Sequence, residues 1–312
     1  MTAGEVEVRV TGPLTSDETA TVLRLVKTAT EEDGVAPLSE HVMLHLRYGG
    51  DWRARNVMLL RDGGVVGYAH LDPTDPVEGP SGELVIHPAH RRQGLGLRLV
   101  QALAAEAGDG PLRLWAHGDL PAASRLAAAA GFARVRALWQ MRRSLQARIG
   151  KPQFAEGITV RTFRVGHDED AWVDLNARAF ARHPEQGAWT RADLDLRERE
   201  PWFDPAGFFL AERGGRLVGF HWTKIHGQDG PETAHPHGAM GEVYVVGVAP
   251  EERGTGLGRA LTLTGLRYLR SRGLFQVMLY VDESNAAAIG LYQSLGFTHW
   301  DTDVMFGRAS AG

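Results

Sequence analysis

Three features of the chain predict a mixed-sheet α/β fold built twice in tandem. A glycine-rich turn occurs in each half, as Arg91-Arg92-Gln93-Gly94-Leu95-Gly96 and as Arg253-Gly254-Thr255-Gly256-Leu257-Gly258. Each copy follows a short apolar run closed by proline, Leu84-Val85-Ile86-His87-Pro88 and Val246-Gly247-Val248-Ala249-Pro250. Each also opens a helical pattern, Leu97 to Ala107 and Arg259 to Arg272. Strand, glycine turn and helix N-terminus together make an anion cradle, because glycine lets backbone N–H groups close on a phosphate that the helix dipole favours. A chain of 312 residues has room for two domains of about 150 residues each.

The order of elements repeats. The first half predicts helices over Asp17–Thr30 and Ser39–Tyr48, then a hairpin of Val57–Arg61 and Val65–Leu71 across Asp62-Gly63-Gly64. A strand at 83–87, the phosphate turn and its helix follow. Strand Pro111–Ala116, helix Ala122–Ala130, Gly131-Phe132 and a strand near Arg136–Arg142 complete the half. The second half predicts helices near Glu169–Ala181 and Arg191–Arg199, then strands Gly207–Glu212 and Arg216–Ile225 across Gly214-Gly215. After strand 242–248 and the second turn come strand 275–281, helix 285–294, Gly296-Phe297 and strand 302–307. The domains are therefore placed at 1–145 and 158–312, with residues 146–157 as linker on the strength of Gly150, Pro152 and Gly157.

Composition narrows the function. Hydrophobic content of 43% and charge of 23% fit a globular protein, and a net charge of −4 gives no reason to expect nucleic acid or an anionic membrane as partner. The absence of cysteine excludes disulfides, thiolate metal sites and cysteine nucleophiles. No apolar run approaches the roughly 18 residues that span a bilayer, and Met1-Thr2-Ala3-Gly4-Glu5 has no signal-peptide pattern. The expectation is a cytoplasmic monomer. Arginine dominates the 34 basic residues, the lysines being only Lys27, Lys151 and Lys224. The polar segment Gly227–Gly241 carries His235 and His237; no further ligand spacing supports zinc there, so a surface loop and no metal are expected.

Neither turn is a P-loop, which needs Lys-Ser or Lys-Thr after its last glycine, and neither has the dinucleotide spacing after a first strand. Arg-x-x-Gly-x-Gly deep in each half, after a hairpin, resembles the GNAT acetyltransferases. So does Asn285-Ala286-Ala287-Ala288-Ile289-Gly290-Leu291-Tyr292-Gln293-Ser294-Leu295-Gly296-Phe297. The resemblance implies two tandem GNAT domains, acetyl-CoA as co-substrate, and a turn that holds its pyrophosphate.

Acetyl transfer to an amine needs a neutral amine, a polarised thioester oxygen and a proton for the departing thiolate. An α-amine has a pKa of about 7.7–8.0, so a carboxylate suffices as base, and backbone N–H groups at a broken strand can polarise the oxygen. In the second half Glu242 opens the strand of Val246–Val248, and Tyr292 stands where GNAT enzymes place the tyrosine that protonates the thiolate. The plain alternatives are a solvated strand-end carboxylate and a half-buried helix tyrosine. Matching Pro88 to Pro250 puts Pro80 opposite Glu242. Matching the Gly-Phe pairs puts Ala127 opposite Tyr292 and Leu120 opposite Asn285. The first domain is therefore expected to bind acetyl-CoA without catalysing transfer.

Asp33-Gly34-Val35-Ala36-Pro37, Trp115-Ala116-His117-Gly118, His183-Pro184-Glu185-Gln186-Gly187 and Gly241 to Val248 further resemble the mycothiol synthase family over nearly the whole chain. That family acetylates the cysteinyl α-amine of cysteinyl-glucosaminyl-inositol. The resemblance implies acceptor contacts at Glu40, Glu185, Lys224, Glu242 and Tyr280. It implies acetyl-CoA contacts at Leu84-Val85-Ile86 and Arg92-Gln93-Gly94-Leu95-Gly96-Leu97 in the first domain. In the second they fall at Val246-Gly247-Val248, Arg253 to Arg259, and Asn285-Ala286-Ala287-Ala288-Ile289-Gly290. Carboxylates and an ammonium suit a polyol ligand. A tandem acetyltransferase for another amine, or an acetyl-CoA sensor without activity, are the rival readings.

Overall fold

The computed structural model describes residues 5–75, 79–181, 184–227 and 239–308, with the side chains of residues 184 and 185 left out. His183, His235 and His237, singled out from the sequence, lie outside the described residues, as does the side chain of Glu185. The chain divides into two compact units, Met1–Leu138 with Asp301–Gly312, and Trp139–Trp300.

In the first unit, β1 (Val6–Thr11) is followed by α1 (Ser16–Asp33) and α2 (Glu40–Tyr48), then β2 (Arg55–Arg61), β3 (Gly64–Asp72) and β4 (Ser81–Ile86). Next come α3 (Leu95–Ala107), β5 (Leu112–Ala116) and α4 (Pro121–Ala129). Local chemistry fixes the boundaries. Thr15 and Glu18 close a capping box on α1, Ser39 caps α2, and Gly34 ends α1 in the left-handed region. The β2–β3 hairpin turns on Asp62 and Gly63, both at positive φ, as a two-residue turn requires. α1 and α2 bury Val22, Leu25, Val26 and Val42 with Met58, Tyr68 and Val85 of the sheet. α3 and α4 bury Leu99, Leu103 and Ala127 with Val57, Leu59, Ala69 and Leu114. The alternating residues of β2 and β3 thus feed two separate cores.

The second unit holds β7 (Ile158–Thr162), α5 (Glu169–Ala179), α6 (Pro184–Gly187), α7 (Arg191–Glu198), β8 (Phe208–Arg213), β9 (Arg216–His226), β10 (Met240–Val248), α8 (Leu257–Ser271), β11 (Gln276–Asp282) and α9 (Ala286–Ser294). An aromatic cluster, including Trp172, Phe208, Phe220 and Trp222, fills one core. Leu263, Leu266, Leu269, Val277, Leu279 and Phe297 fill the other.

Two strands depart from the linear division at 145 and 158. β6 (Ala133–Ser144) crosses the unit boundary after Leu138, and β12 (Thr298–Arg308) crosses it after Trp300. The first unit's sheet runs β1-β2-β3-β4-β5-β12, and the second's runs β6-β11-β10-β9-β8-β7. Val304 to Arg308 pair antiparallel with β5, and Val304 and Phe306 enter the first core. Met141, Leu145 and Ile149 enter the second unit's core. The final strands of the two halves are therefore exchanged. Residues 146–157 fall within the second unit, and Leu145 just before them donates its N–H to Phe275 O at 2.8 Å. The edge strands β1 and β7 were not predicted, although Val6-Glu7-Val8-Arg9-Val10 alternates with period two.

Candidate active site

Both glycine-rich turns form ahead of a helix, as expected. Gly94 and Gly256 occupy the left-handed region (φ 76° and 86°) as N-caps of α3 and α8, and neither helix has a side-chain cap. A Cβ at Gly94, Gly254 or Gly256 would meet nothing within 4 Å, so the space over the turn is open. The uncapped helix amides therefore face a clear approach for an anion. Gly254 has φ 79°, and its counterpart Arg92 adopts φ 62° despite its side chain. A non-glycine residue there costs about 1–2 kcal/mol, which the surrounding turn sustains. Arg91 anchors the first turn through a bidentate pair with Asp33, at 2.6 and 2.7 Å. That pair gives Asp33, the first residue of the Asp33–Pro37 motif, its contact.

Ahead of each turn a strand edge opens. β10 pairs in parallel with β11 only at Gly241 and Glu242, which leaves Val246–Val248 beyond the ladder. β4 pairs with β5 only at Ser81 and Gly82, which leaves Leu84–Ile86 likewise beyond it. An extended ligand can add to such an edge through main-chain hydrogen bonds.

The two strands differ in one respect. The β9–β10 register shifts between Val243 and Val245, so Tyr244 is the extra residue of a bulge, whereas the β3–β4 ladder runs from Gly67↔Ile86 to Asp72↔Ser81 unbroken. This corrects the residue count from proline. Glu242 pairs with Lys224, and the same rung of the first unit is Ser81 paired with Asp72, so Ser81 and not Pro80 is the counterpart of Glu242. The matches of Ala127 to Tyr292 and Leu120 to Asn285 agree with the structure. Phe132 N–H bonds Ala127 O at 2.9 Å just as Phe297 N–H bonds Tyr292 O at 3.0 Å. Leu120 and Asn285 are the N-caps of α4 and α9.

Around the bulge the second unit assembles a polar group. Glu242 is buried and its Oε2 lies 2.7 Å from His226 Nε2, which is not the setting of a solvated strand-end carboxylate. Lys224 is also buried, with Nζ 4.3 Å from the Trp202 ring centroid and 5.1 Å from that of Tyr244. The bulge turns Tyr244 so that its hydroxyl accepts from Arg197 at 2.8 Å. His226, Trp202 and Tyr244 were not foreseen; an aromatic within reach of one of three lysines is the signal that could have raised them. Tyr280 on β11 is exposed and accepts from Gln140 Nε2 at 2.7 Å. Tyr292 lies on α9 against Phe297, and burial pushes its phenol up to about 12, so it carries its proton at neutral pH. Asn285 caps α9 through Ala288 N–H at 3.1 Å, which orients the helix, and Gly290 has open space above it. Arg259 reaches Ser294 at 2.7 Å. Glu40 opens α2 in the first unit.

The first unit fills the corresponding region differently. Glu83 is buried on β4, 3.4 Å from His117 Nε2, and His117 Nδ1 is 3.0 Å from Asp303 of β12. Burial would push the His117 imidazolium down, but Glu83 and Asp303 outweigh it and raise it to about 10. Glu83 also accepts from Ser39 N–H. The Trp115–Gly118 motif thus ties β5, β4, β12 and the start of α2 together.

Comparison with known proteins agrees with this geometry. Residues 170–297 match the acetyltransferase (GNAT) family and residues 53–134 the acetyltransferase (GNAT) domain. A mycothiol acetyltransferase of Streptosporangium roseum is 57% identical over 95% of this chain and 97% of its own, and one of Thermobispora bispora is 61% identical over 92% and 95%. Among solved structures, a tandem GNAT protein from the clavulanic acid biosynthesis pathway has a TM-score of 0.72 at 20% identity, covering 99% of both chains, which shows the shared fold. With two glycine-rich turns, two open strand edges and a bulge in one of the strands, the chain is an acetyl-CoA-dependent N-acetyltransferase that belongs to the mycothiol acetyltransferase family.

Proposed function

We propose that the second unit transfers acetyl from acetyl-CoA to the cysteinyl α-amine of cysteinyl-glucosaminyl-inositol, giving mycothiol and CoA. The observation that carries this is the bulged rung: a buried carboxylate, Glu242, paired across the ladder with Lys224 beside the open edge of Val246–Val248. Glu242, directly or through water, takes a proton from the acceptor ammonium. The neutral amine attacks the thioester carbonyl, whose oxygen is stabilised by backbone N–H at the bulge. As the C–S bond breaks, Tyr292 gives its proton to the thiolate and is reprotonated, through water, by the second proton that the acylated nitrogen sheds. Lys224, held by Trp202 and Tyr244, is positioned to donate to acceptor hydroxyls.

The first unit keeps the turn and the open edge, so its Arg92 to Leu97 and Leu84 to Ile86 hold a second acetyl-CoA. Ser81 and Ala127 supply neither base nor acid. Acetylation followed by mass spectrometry, with cysteinyl-glucosaminyl-inositol, an aminoglycoside and an N-terminal peptide as competing acceptors, tests the assignment. The cysteinyl acceptor should lead in kcat/KM; preference for either of the others would overturn it.

A further inference from the structure

We propose that the first unit carries a binding site for a divalent transition-metal ion of the zinc type, held by His41, His45 and Asp72. His41 and His45 stand four residues apart on one face of α2, and Asp72 ends β3. Their ligand-type atoms lie within 4.8 Å of one another, the one such group among the described residues. His41 Nε2 is 2.7 Å from Asp72 Oδ2, and the His41 and His45 rings are 4.1 Å apart. Ligand atoms around a tetrahedral zinc stand roughly 3.3 Å apart, given Zn–N and Zn–O near 2.0–2.1 Å. Small rotations of the half-exposed His41 close the remaining distance.

The surrounding hydrogen bonds independently prepare the site. Asn56 Nδ2 donates to Gly12 O at 2.6 Å, which fixes the amide so that Oδ1 is its acceptor. That oxygen accepts from Tyr68 OH at 2.5 Å and from His70 Nδ1 at 3.1 Å. His70 is buried, and its Nδ1 donates to Asn56 Oδ1, which leaves its lone pair on Nε2. His70 Nε2 lies 3.3 Å from His45 Nδ1, which must therefore be the donor, leaving the lone pair of His45 on Nε2. A ligating histidine whose other N–H is held by a fixed acceptor is the usual outer arrangement of a metal site. His45 and His70 also line a cavity of about 470 Å³ with Asn56 and Asp51. In the second unit the rung of Asp72 is taken by Lys224.

The test is Co²⁺ titration of the tag-free, chelator-treated full chain, read by visible d–d absorption and by calorimetry with Zn²⁺. The expected result is one ion per chain that survives dialysis, absorption of a low-coordinate N/O site, and loss of both signals in His41→Gln/His45→Gln and in Asp72→Asn, while acetyl-CoA binding persists as a check of folding. Should the variants not fold, paramagnetic shifts from Co²⁺ in the wild-type chain must fall on the His41, His45 and His70 rings. No saturable binding, binding unchanged in the double variant, or shifts confined to other histidines would each overturn the proposal.

Discussion

The two units share a turn, an open strand edge and a helix register, yet only the second breaks its central strand. In β4 the ladder runs unbroken to Ser81, and the buried Glu83 is committed to His117 and Ser39. In β10 one added residue, Tyr244, shifts the rung and sets Glu242 opposite Lys224. Binding a phosphate requires only backbone, because glycine φ values and uncapped amides suffice. Transfer requires side chains at fixed places, and a single bulge changes which ones are offered. Duplication thus preserves the turn and strand-edge geometry in both copies, while the bulged rung of Glu242 and Lys224 in one is matched by a buried ion network in the other.

The comparison breaks first at the turns. Gly256→Val forces a β-branched residue to φ 86°, a strain of about 1–3 kcal/mol, so acetyl-CoA should bind the second turn up to about 10²-fold more weakly and turnover should collapse. Gly94→Val should weaken the other calorimetric site to a similar degree and leave chemistry in place. One site per wild-type chain, or equal loss of turnover in both variants, would remove the distinction.

Lys224→Ala deletes a charged donor, typically about 1.5–3 kcal/mol. The acceptor KM should rise by roughly 10–100-fold with a smaller change in kcat, as expected for a contact made equally in ground and transition states. Steady-state kinetics with a fall in kcat alone would place the lysine in the chemical step instead.

The first unit's network has its own signature. The His117 pKa is about 10 when folded and about 6.5 when unfolded. Its contribution is therefore complete below pH 6.5 or so and is lost as the pH rises through 10. Thermal midpoints should fall over that window, and His117→Gln should flatten the fall while lowering the acid-side plateau. A parallel pH profile in the variant would exclude the network as a stabilising element.

Arg92→Gly is the mildest change. Relief of left-handed strain and the entropy of glycine offset each other to within about 1 kcal/mol. Stability should hardly move, and acetyl-CoA should bind the first turn several-fold more weakly if the guanidinium contacts phosphate. Unchanged calorimetry would assign Arg92 no part in binding.

Much of this was legible because glycine, proline and period-two runs act locally. Both turns, both hairpins, and the Ala127–Tyr292 match followed from them. What was not legible was non-local. Counting back from Pro250 could not reveal the Tyr244 bulge, since an inserted residue shows only against its partner strand. The exchange of β6 and β12 was hidden because two final strands of like pattern can each complete either sheet; Asp303, paired with His117, is the residue that marks the choice. His226 and Trp202 reach the site from strand end and loop, where no spacing rule applies.

The central claim, that chemistry resides in the second unit, is tested most directly by kcat of the Glu242→Gln, Tyr292→Phe double variant, with acetyl-CoA stoichiometry measured on the same sample. General acid and base groups contribute typically about 10²–10⁴-fold each. The account predicts a loss of at least about 10²-fold with both acetyl-CoA sites still filled. Full activity in the double variant would contradict it.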